Sequence, residues 1–411
     1  MQGEQDAERV TYRSIFAEPE FRALFVSRAL STVGDYVARA ALVVAVFTET
    51  GSEALMGITF ALTVLPDLFG GPLLAGLADR YPRRAVMVAT DLTRAVLLLV
   101  MAIPGMPLLA LWALLFVVRL IDPPFNSAYI STMSVVLPGK RLVKGTAITQ
   151  LVNHVSYTVG YGLGGLVVAV GGLSVVLVGN AVTFVISAVV ILLGVVGRPA
   201  TALVGTASSL LGTAARFIMG RARLRIVILF TLPVAATLAT ETLAASYAVE
   251  IGHSPALGGL LMGAGPAGIV IGLWLLPLLI PSQAPRHVAV LSVLCCAPLI
   301  LFVLAPGPAV AGALIVVSGI SLYFFIPLAA EFTLACPDHM RGQCVGLLTM
   351  GMRVTQGLAI LVFGVVAQNI SSGLVIAGAG VVGVGIAVVL SVAWVRVATA
   401  RGSAPHPGAS L

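Results

Sequence analysis

Long apolar runs separated by short polar breaks recur along the whole chain of 411 residues. A helix that crosses a bilayer needs roughly 20 apolar residues at a rise of about 1.5 Å each. Twelve runs meet that length, at 21–49, 53–78, 84–103, 107–137, 141–170, 172–196, 224–250, 255–280, 286–305, 308–335, 341–369 and 371–396. They predict an all-α integral membrane protein with twelve transmembrane helices. One break is long, 197–223, and it places Leu210, Leu211, Ala214, Phe217 and Ile218 on one helical face with arginines beyond it. That pattern predicts an amphipathic helix lying at the membrane interface. The linker divides the chain into a tail (1–20), a six-helix half (21–196), the linker itself (197–223), a second six-helix half (224–396) and a tail (397–411).

Charge sets the orientation. The lysines and arginines outside the apolar runs are Arg9, Arg13 and Arg22; Arg80, Arg83 and Arg84; Lys140, Arg141 and Lys144; Arg198, Arg216, Arg221, Arg223 and Arg225; Arg286; Arg341; and Arg396 and Arg401. All lie in a tail or in every second connection, and the connections near 50, 105, 171, 253, 307 and 371 have none. Cytoplasmic loops are the ones enriched in basic residues, so both termini and every basic loop are expected in the cytoplasm.

Composition removes several function classes. Charged residues make up 9% of the chain, against about 25% in soluble domains. The net charge of +7 sits in short loops that meet anionic headgroups, so the lipid bilayer is the expected partner and nucleic acid is not. Cys295, Cys296, Cys336 and Cys344 offer no extracellular pair and no metal-ligand spacing. The amino terminus lacks the basic segment and cleavage site of a removable signal. No phosphate-binding glycine loop, metal triad or large aqueous domain is present, so neither an enzyme, nor an ATP-driven pump, nor a bound cofactor is expected.

Charges kept inside a membrane usually pair or serve transport. Counted at 1.5 Å per residue from the cytoplasmic ends, Asp35 and Arg39 lie roughly 20 and 25 Å deep in the first run, and Asp122 and Arg119 roughly 22 and 27 Å deep in the fourth. Four- and three-residue spacing puts each pair on one helix face. Each pair could neutralise itself, as part of a proton-coupling site or of a permanently ionised clasp. Glu241, about 24 Å into the seventh run, is a candidate for a cationic substrate or a second proton, or else a neutral acid hydrogen-bonded to a neighbouring helix. It could also pair with Arg353, which shares a polar face with Gln356 and Thr349. Asp67 follows Pro66 and is read as satisfying a backbone carbonyl that the proline frees. Asp91 and Arg94 are read as a structural clasp, and Glu331 as an interfacial charge.

Polar stripes mark a candidate cavity. The fifth run presents Gln150, Asn153 or His154, Tyr157 and Tyr161 at helical spacing, and the fourth continues from Arg119 and Asp122 to Asn126 and Tyr129. Tyr247, Tyr323, Arg353 and Gln356 supply the corresponding surface of the second half, with Trp274, Phe324, Phe325 and methionines that suit bulky amphipathic molecules.

The halves echo each other: LPGKRLVKGTAITQ before the fifth run resembles CPDHMRGQCVGLLTM before the eleventh. GLADRYPRR resembles the signature loop of the major facilitator superfamily through Asp79, Arg80, Arg83 and Arg84, with Ala75 and Pro82 as departures. SRALSTVGDYVARAAL, DLTRAVLLL, VVRLIDPPFNSA and PDHMRGQ resemble its drug and siderophore exporter branch, which includes macrolide efflux proteins and enterobactin exporters. Such exporters often carry a glycine-proline motif in the fifth helix; here the segment is VGYGLGGLVVAVGG, with Tyr161 in the proline's place.

The resemblance covers roughly residues 20–395 and implies the major facilitator fold. In that fold the first and fourth helices are neighbours, which implies one net-neutral midplane cluster of Asp35, Arg39, Arg119 and Asp122, and the signature loop acts as a conformational switch. It further implies a proton-coupled exporter of amphipathic small molecules such as an antibiotic, siderophore or secondary metabolite. Such a protein would work as a monomer in the cell membrane by alternating access, with the proton gradient as its energy source. An importer of a nutrient and a non-transporting polytopic membrane protein stay open as alternatives.

Overall fold

The computed structural model describes residues 12–74, 77–199, 208–280, 285–337 and 340–402. These are helical, with no strand among them. After a short turn of helix at Tyr12–Phe16 come α1 (Pro19–Thr50), α2 (Glu53–Leu62, Pro66–Leu74 and Leu77–Arg80), α3 (Arg83–Met101) and α4 (Leu108–Leu120 and Asp122–Val136). The stretch Lys140–Gly194 supplies α5 and α6, and a linker helix spans Ser208–Met219. Then follow α7 (Ala222–Leu229, Thr231–Ala236 and Leu238–Glu250), α8 (Ala256–Leu279), α9 (Pro285–Leu304), α10 (Pro308–Ala335), α11 (Arg341–Ala367) and α12 (Ser372–Gly402). Ten helices among the described residues are long and apolar enough to cross a membrane, counting the 55 residues of Lys140–Gly194 once. The 19-residue α3, which carries Arg83, Arg84, Asp91 and Arg94, is not among them.

Gly172 divides α5 from α6. Its φ of 74° and ψ of 169° interrupt the helix, a conformation that glycine adopts without steric cost. Ile148 and Ile191 sit in the same buried cluster, whereas a straight helix would hold them about 65 Å apart. The chain therefore reverses at Gly172, and α5 and α6 run side by side.

Prolines break helices that the apolar pattern presents as continuous. Pro66 restarts α2 after a turn at 63–65, and Pro233 lies just past the break at Phe230 in α7. Each lacks the N–H that would close the ladder one turn back. In α4, Pro123 and Pro124 cannot donate to the carbonyls of Arg119 and Leu120, and the helix steps at Ile121. That step falls between the two charges that matter most below.

The ends bearing the basic connections gather in space. Ile15, Phe21, Val86, Met133, Ile148 and Val195 form one cluster at that end of α1–α6. Leu224, Val288, Cys336, Cys344 and Trp394 form another at that end of α7–α12. Ala214 and Ile218 of the linker helix are buried in the second cluster while Arg216 is exposed, so the helix is amphipathic in place. Residues 200–207 and the side chains of Leu210 and Leu211 lie outside the described part.

At the opposite end, the outer one if the basic connections are cytoplasmic, the two sets of helices close on each other. Phe47, Met56, Phe60 and Tyr161 share a buried core with Tyr247, Leu261, Phe302, Ile360 and Val375. Glycines allow the backbones to meet: a methyl added at Gly165 would lie 2.9 Å from Cα of Gly259, and one at Gly57 would lie 3.0 Å from Cα of Gly364. Ser246 donates to Glu53 at 2.8 Å and Gln368 to Ser52 at 3.0 Å across the same seam. The contacts continue inward to about the level of Tyr157 on α5 and Leu65 on α2, which packs on Gly357. Beyond that level Gly342 and Gly346 of α11 face open space. The bundle is thus sealed at its outer end and splayed at the end of the basic loops.

Candidate functional site

Two buried polar groupings lie where the splayed cleft meets the seal. The first is centred on Arg119, placed by the step in α4. Its Nη1 donates to Asp35 at 3.3 Å, and its Nη2 donates to both oxygens of Asp67 at 3.0 and 3.2 Å and lies 3.5 Å from Asp122. Asp122 also binds Arg94, whose guanidinium sits 5.1 Å above the Phe184 ring. Asn180 of α6 donates to Asp35 at 3.4 Å. The two arginine side chains are 3% and 5% exposed, whereas those of Asp35, Asp67 and Asp122 are 15–22% exposed. Three carboxylates thus share two guanidiniums, with the acids turned toward the cleft.

This grouping differs from the expected one. Arg39 is absent from it: its long side chain lies instead over the Tyr36 ring, 5.0 Å from the centroid. Asp67 takes the place expected of Arg39, because the break before Pro66 turns the following segment of α2 onto α4. Its direct ion pairs therefore join three carboxylates to two guanidiniums, with Arg28 of α1 near enough to act on Asp122 as a further positive charge. Arg94 binds Asp122 and not Asp91; Asp91, fully buried, accepts from Ser187 at 2.6 Å and its Oδ1 has no partner.

The second grouping joins the halves. Tyr157 of α5 donates its hydroxyl to Glu241 of α7 at 2.6 Å. The Tyr157 ring stacks on Tyr36 at 4.5 Å and meets Tyr161 edge-on at 4.6 Å. Glu241 thus has Tyr157, and not Arg353, as its partner. Tyr161 fills the position where a proline is expected in exporters, packed against α1 and Phe60.

The remaining sequence candidates divide by accessibility. Asn126 and Gln150 are exposed, and Asn153, His154, Arg353 and Gln356 are half-buried. Asn153 donates to Gln150 at 3.1 Å. Tyr129 is not open to a cavity: it is 1% exposed, with its hydroxyl 3.2 Å from Thr149. Nor is Tyr247, which is fully buried at the outer end and donates to the Pro306 carbonyl at 2.7 Å. Tyr323 packs against the core of the second half. Arg83 and Arg84 donate to the carbonyls of Ser131 and Val195 at 3.0 and 3.1 Å, tying the loop after α2 to the ends of α4 and α6. Arg80 is exposed, and the side chain of Asp79 lies outside the described part. Glu331 is paired with Arg223, which lies 4.9 Å from the Trp394 ring centroid.

Outside the spans, both terminal nitrogens of Arg198 meet Glu20 at 2.8 Å. That hydrogen-bonded carboxylate raises the arginine's pKa above its ordinary value. Asn180, Ser187 and Arg28 escaped the sequence reading; the Nε of Arg28 donates to Asn153 at 3.3 Å and its guanidinium lies 5.7 Å from the Tyr129 ring centroid. For Arg28 the signal was available, since it precedes Asp35 by seven residues and Arg39 by eleven, all on one helix face.

A family model described as Major Facilitator Superfamily matches residues 24–353. The chain belongs to that superfamily. Membership makes it a multi-pass membrane protein. Macrolide efflux protein A of Streptococcus pyogenes is 25% identical over 156 residues, 37% of this chain and 38% of that protein. The uncharacterized transporter YfiS of Bacillus subtilis (strain 168) is 26% identical over 147 residues, 36% of this chain and 35% of that one. The chain therefore spans well under half the length of the curated relatives it matches. Among solved structures, the nucleoside transporter NupG superposes with a TM-score of 0.73 at 14% identity, covering 92% of this chain and 99% of that one. A bacterial homolog of the lysosomal transporter Spinster, inward-facing and unoccupied, gives 0.67 at 15%, covering 93% and 96%. These likenesses establish the facilitator fold.

Proposed function

We propose that α1–α12 all cross the cell membrane with both termini and the basic loops in the cytoplasm, and that the protein exports amphipathic small molecules in exchange for protons. On this reading residues 21–196 and 224–396 are the two moving halves, and the cleft opens to the cytoplasm. The observation that carries the reading is that Arg119 is shared among Asp35, Asp67 and Asp122. One proton on any of them releases Arg119 from one of three carboxylates. A change of that size in a buried ion network biases which of two packings is favoured.

Among the described residues Tyr157 and Glu241 form the hydrogen bond between the halves that lies farthest inward from the seal, so opening the outer end must break it. A proton on Glu241 would weaken that bond, which makes the pair a second point where proton binding and opening meet. Asn126, Gln150, Asn153, His154, Arg353 and Gln356 line the cleft as the cargo surface, and Arg83 and Arg84 hold the first half together as it rocks. The partial match to a macrolide efflux protein supports the outward direction.

Asp35→Asn tests the coupling. In an efflux-deficient host challenged with varied antibiotics, the intact protein is expected to protect against particular compounds and the variant to lose at least tenfold of that protection at equal membrane abundance. Unchanged protection would remove Asp35 from the coupling machinery. Gradient-driven accumulation of a labelled solute in intact cells would reverse the direction and favour an importer.

A further inference from the structure

Five arginines lie within the apolar stretches of the helices: Arg28, Arg39, Arg94, Arg119 and Arg353. Arg94 and Arg119 are committed to aspartates. Arg39 lies over Tyr36, and Arg28 holds the amide of Asn153. Arg353 has no ion pair, hydrogen bond or ring contact among the described residues, although it is half-buried on a membrane helix. The nearby threonines of α11 are satisfied: Thr349 donates to the Val345 carbonyl, and Thr355 donates to the Gly351 carbonyl and lies 3.5 Å from Thr231.

Helical phase shows where Arg353 points. At 3.6 residues per turn it shares a stripe with Gly342 and Gly346 on one side and Gly357 and Gly364 on the other. Gly357 and Gly364 pack against Leu65 and Gly57 of the opposite half, while Gly342 and Gly346 meet nothing within 4 Å. Arg353 is therefore the first side chain on that stripe below the seal, and its guanidinium faces the cleft. Cys344 and Leu348, on the other side of α11, are buried in the core of the second half. Across the cleft Arg28 sits roughly 14 Å along α1, close to the roughly 18 Å of Arg353 along α11 at 1.5 Å per residue.

We infer that the cargo is an organic anion, an amphipathic molecule whose carboxylate or phosphate group is bound by Arg353 with Arg28 on the facing wall. The inference rests on the transport reading above and narrows its substrate. A guanidinium presents a planar fork of donors that matches either anion with two parallel hydrogen bonds. The acids of the first half cannot serve a cationic cargo without giving up Arg94 or Arg119. An entering cation would meet Arg28 and Arg353 before any free carboxylate.

Binding to the whole protein in lipid nanodiscs tests this with dansylaminoundecanoate, its neutral methyl ester and a dansyl alkylamine of equal length. The carboxylate is expected to bind most tightly. Arg353→Gln should weaken it about ten- to a hundredfold, the range a lost charge-assisted hydrogen bond gives, and leave the ester unchanged. Arg353→Lys should retain part of the affinity, which separates loss of charge from loss of fold. Equal affinity for acid and ester, preference for the amine, or absence of any Arg353-dependent binding of the acid overturns the inference. The same probes in proteoliposomes under a pH gradient keep the two readings apart. Gradient-driven movement of ester or amine with no Arg353-dependent binding or movement of the acid leaves export standing and removes the anion site. Arg353-dependent binding of the acid without gradient-driven movement supports the site and removes proton coupling.

Discussion

Asp122 stands between Arg94 and Arg119, so its carboxylate is where the two buried cations meet. Removing one partner of a buried pair strands the other, at a cost of roughly 3–5 kcal/mol. Asp122→Ala is accordingly expected to lower the thermal midpoint of the detergent-solubilised protein sharply. Asp91→Asn should move it little, because the amide keeps the Ser187 contact and leaves Arg94 with Asp122. Equal losses in the two variants would show that Arg94 depends on Asp91 as much as on Asp122. Much of this site was readable from spacing: Asp35, Arg119 and Asp122 stood at matching depths before any fold was known. Arg39 was not, because a four-residue interval puts two side chains on one face without saying which neighbour a long guanidinium will reach. Asp67 was hidden by its own proline, whose effect on the path of α2 is a matter of tertiary packing.

Helix contacts at the outer seal depend on missing side chains. Gly165 of α5 and Gly259 of α8 leave no room for a methyl on either backbone. Gly259→Val should therefore wedge α5 from α8 and shift the population toward an open outer end. A cysteine placed at Ser246, buried in the seal, would then react faster with a membrane-impermeant maleimide in the Gly259→Val background, by about tenfold for each 1.4 kcal/mol of shift. Unchanged labelling would mean the seal is held by the side chains around Tyr161 and Leu261 instead. At this scale the apolar runs were legible almost to the residue, as with α8, expected at 255–280 and found at Ala256–Leu279. The breaks in α2, α4 and α7 were less so. Proline marks where a ladder can fail, but whether it does is decided by what packs against the freed carbonyl.

For the molecule as a whole, the alternation of basic connections with ones that hold no lysine or arginine and the clustering of the basic ends in space agree on one polarity. A fluorescent protein fused after residue 402 is expected to be bright and an alkaline phosphatase fusion there inactive, with the reverse for fusions near residue 307. Active phosphatase at the carboxyl terminus would invert the assignment of both faces. The composition and the repeat pointed to paired halves. Which end is closed was not legible, because one sequence must serve both the sealed and the open arrangement, and only packing at Gly57, Gly165 and Tyr157 distinguishes them.

The reversal at Gly172 bears on how such a chain enters a bilayer. The turn AVGGLSVV carries no charge, and Val170 at 93% exposure shows how little of it is tucked into protein. Nothing hydrophilic has to be dragged across the hydrocarbon between α5 and α6, and no polar loop waits on the far side to hold α5 in place alone. The two helices are suited to insert from the translocon together, as a preformed hairpin that meets α1 only after both arms are in lipid.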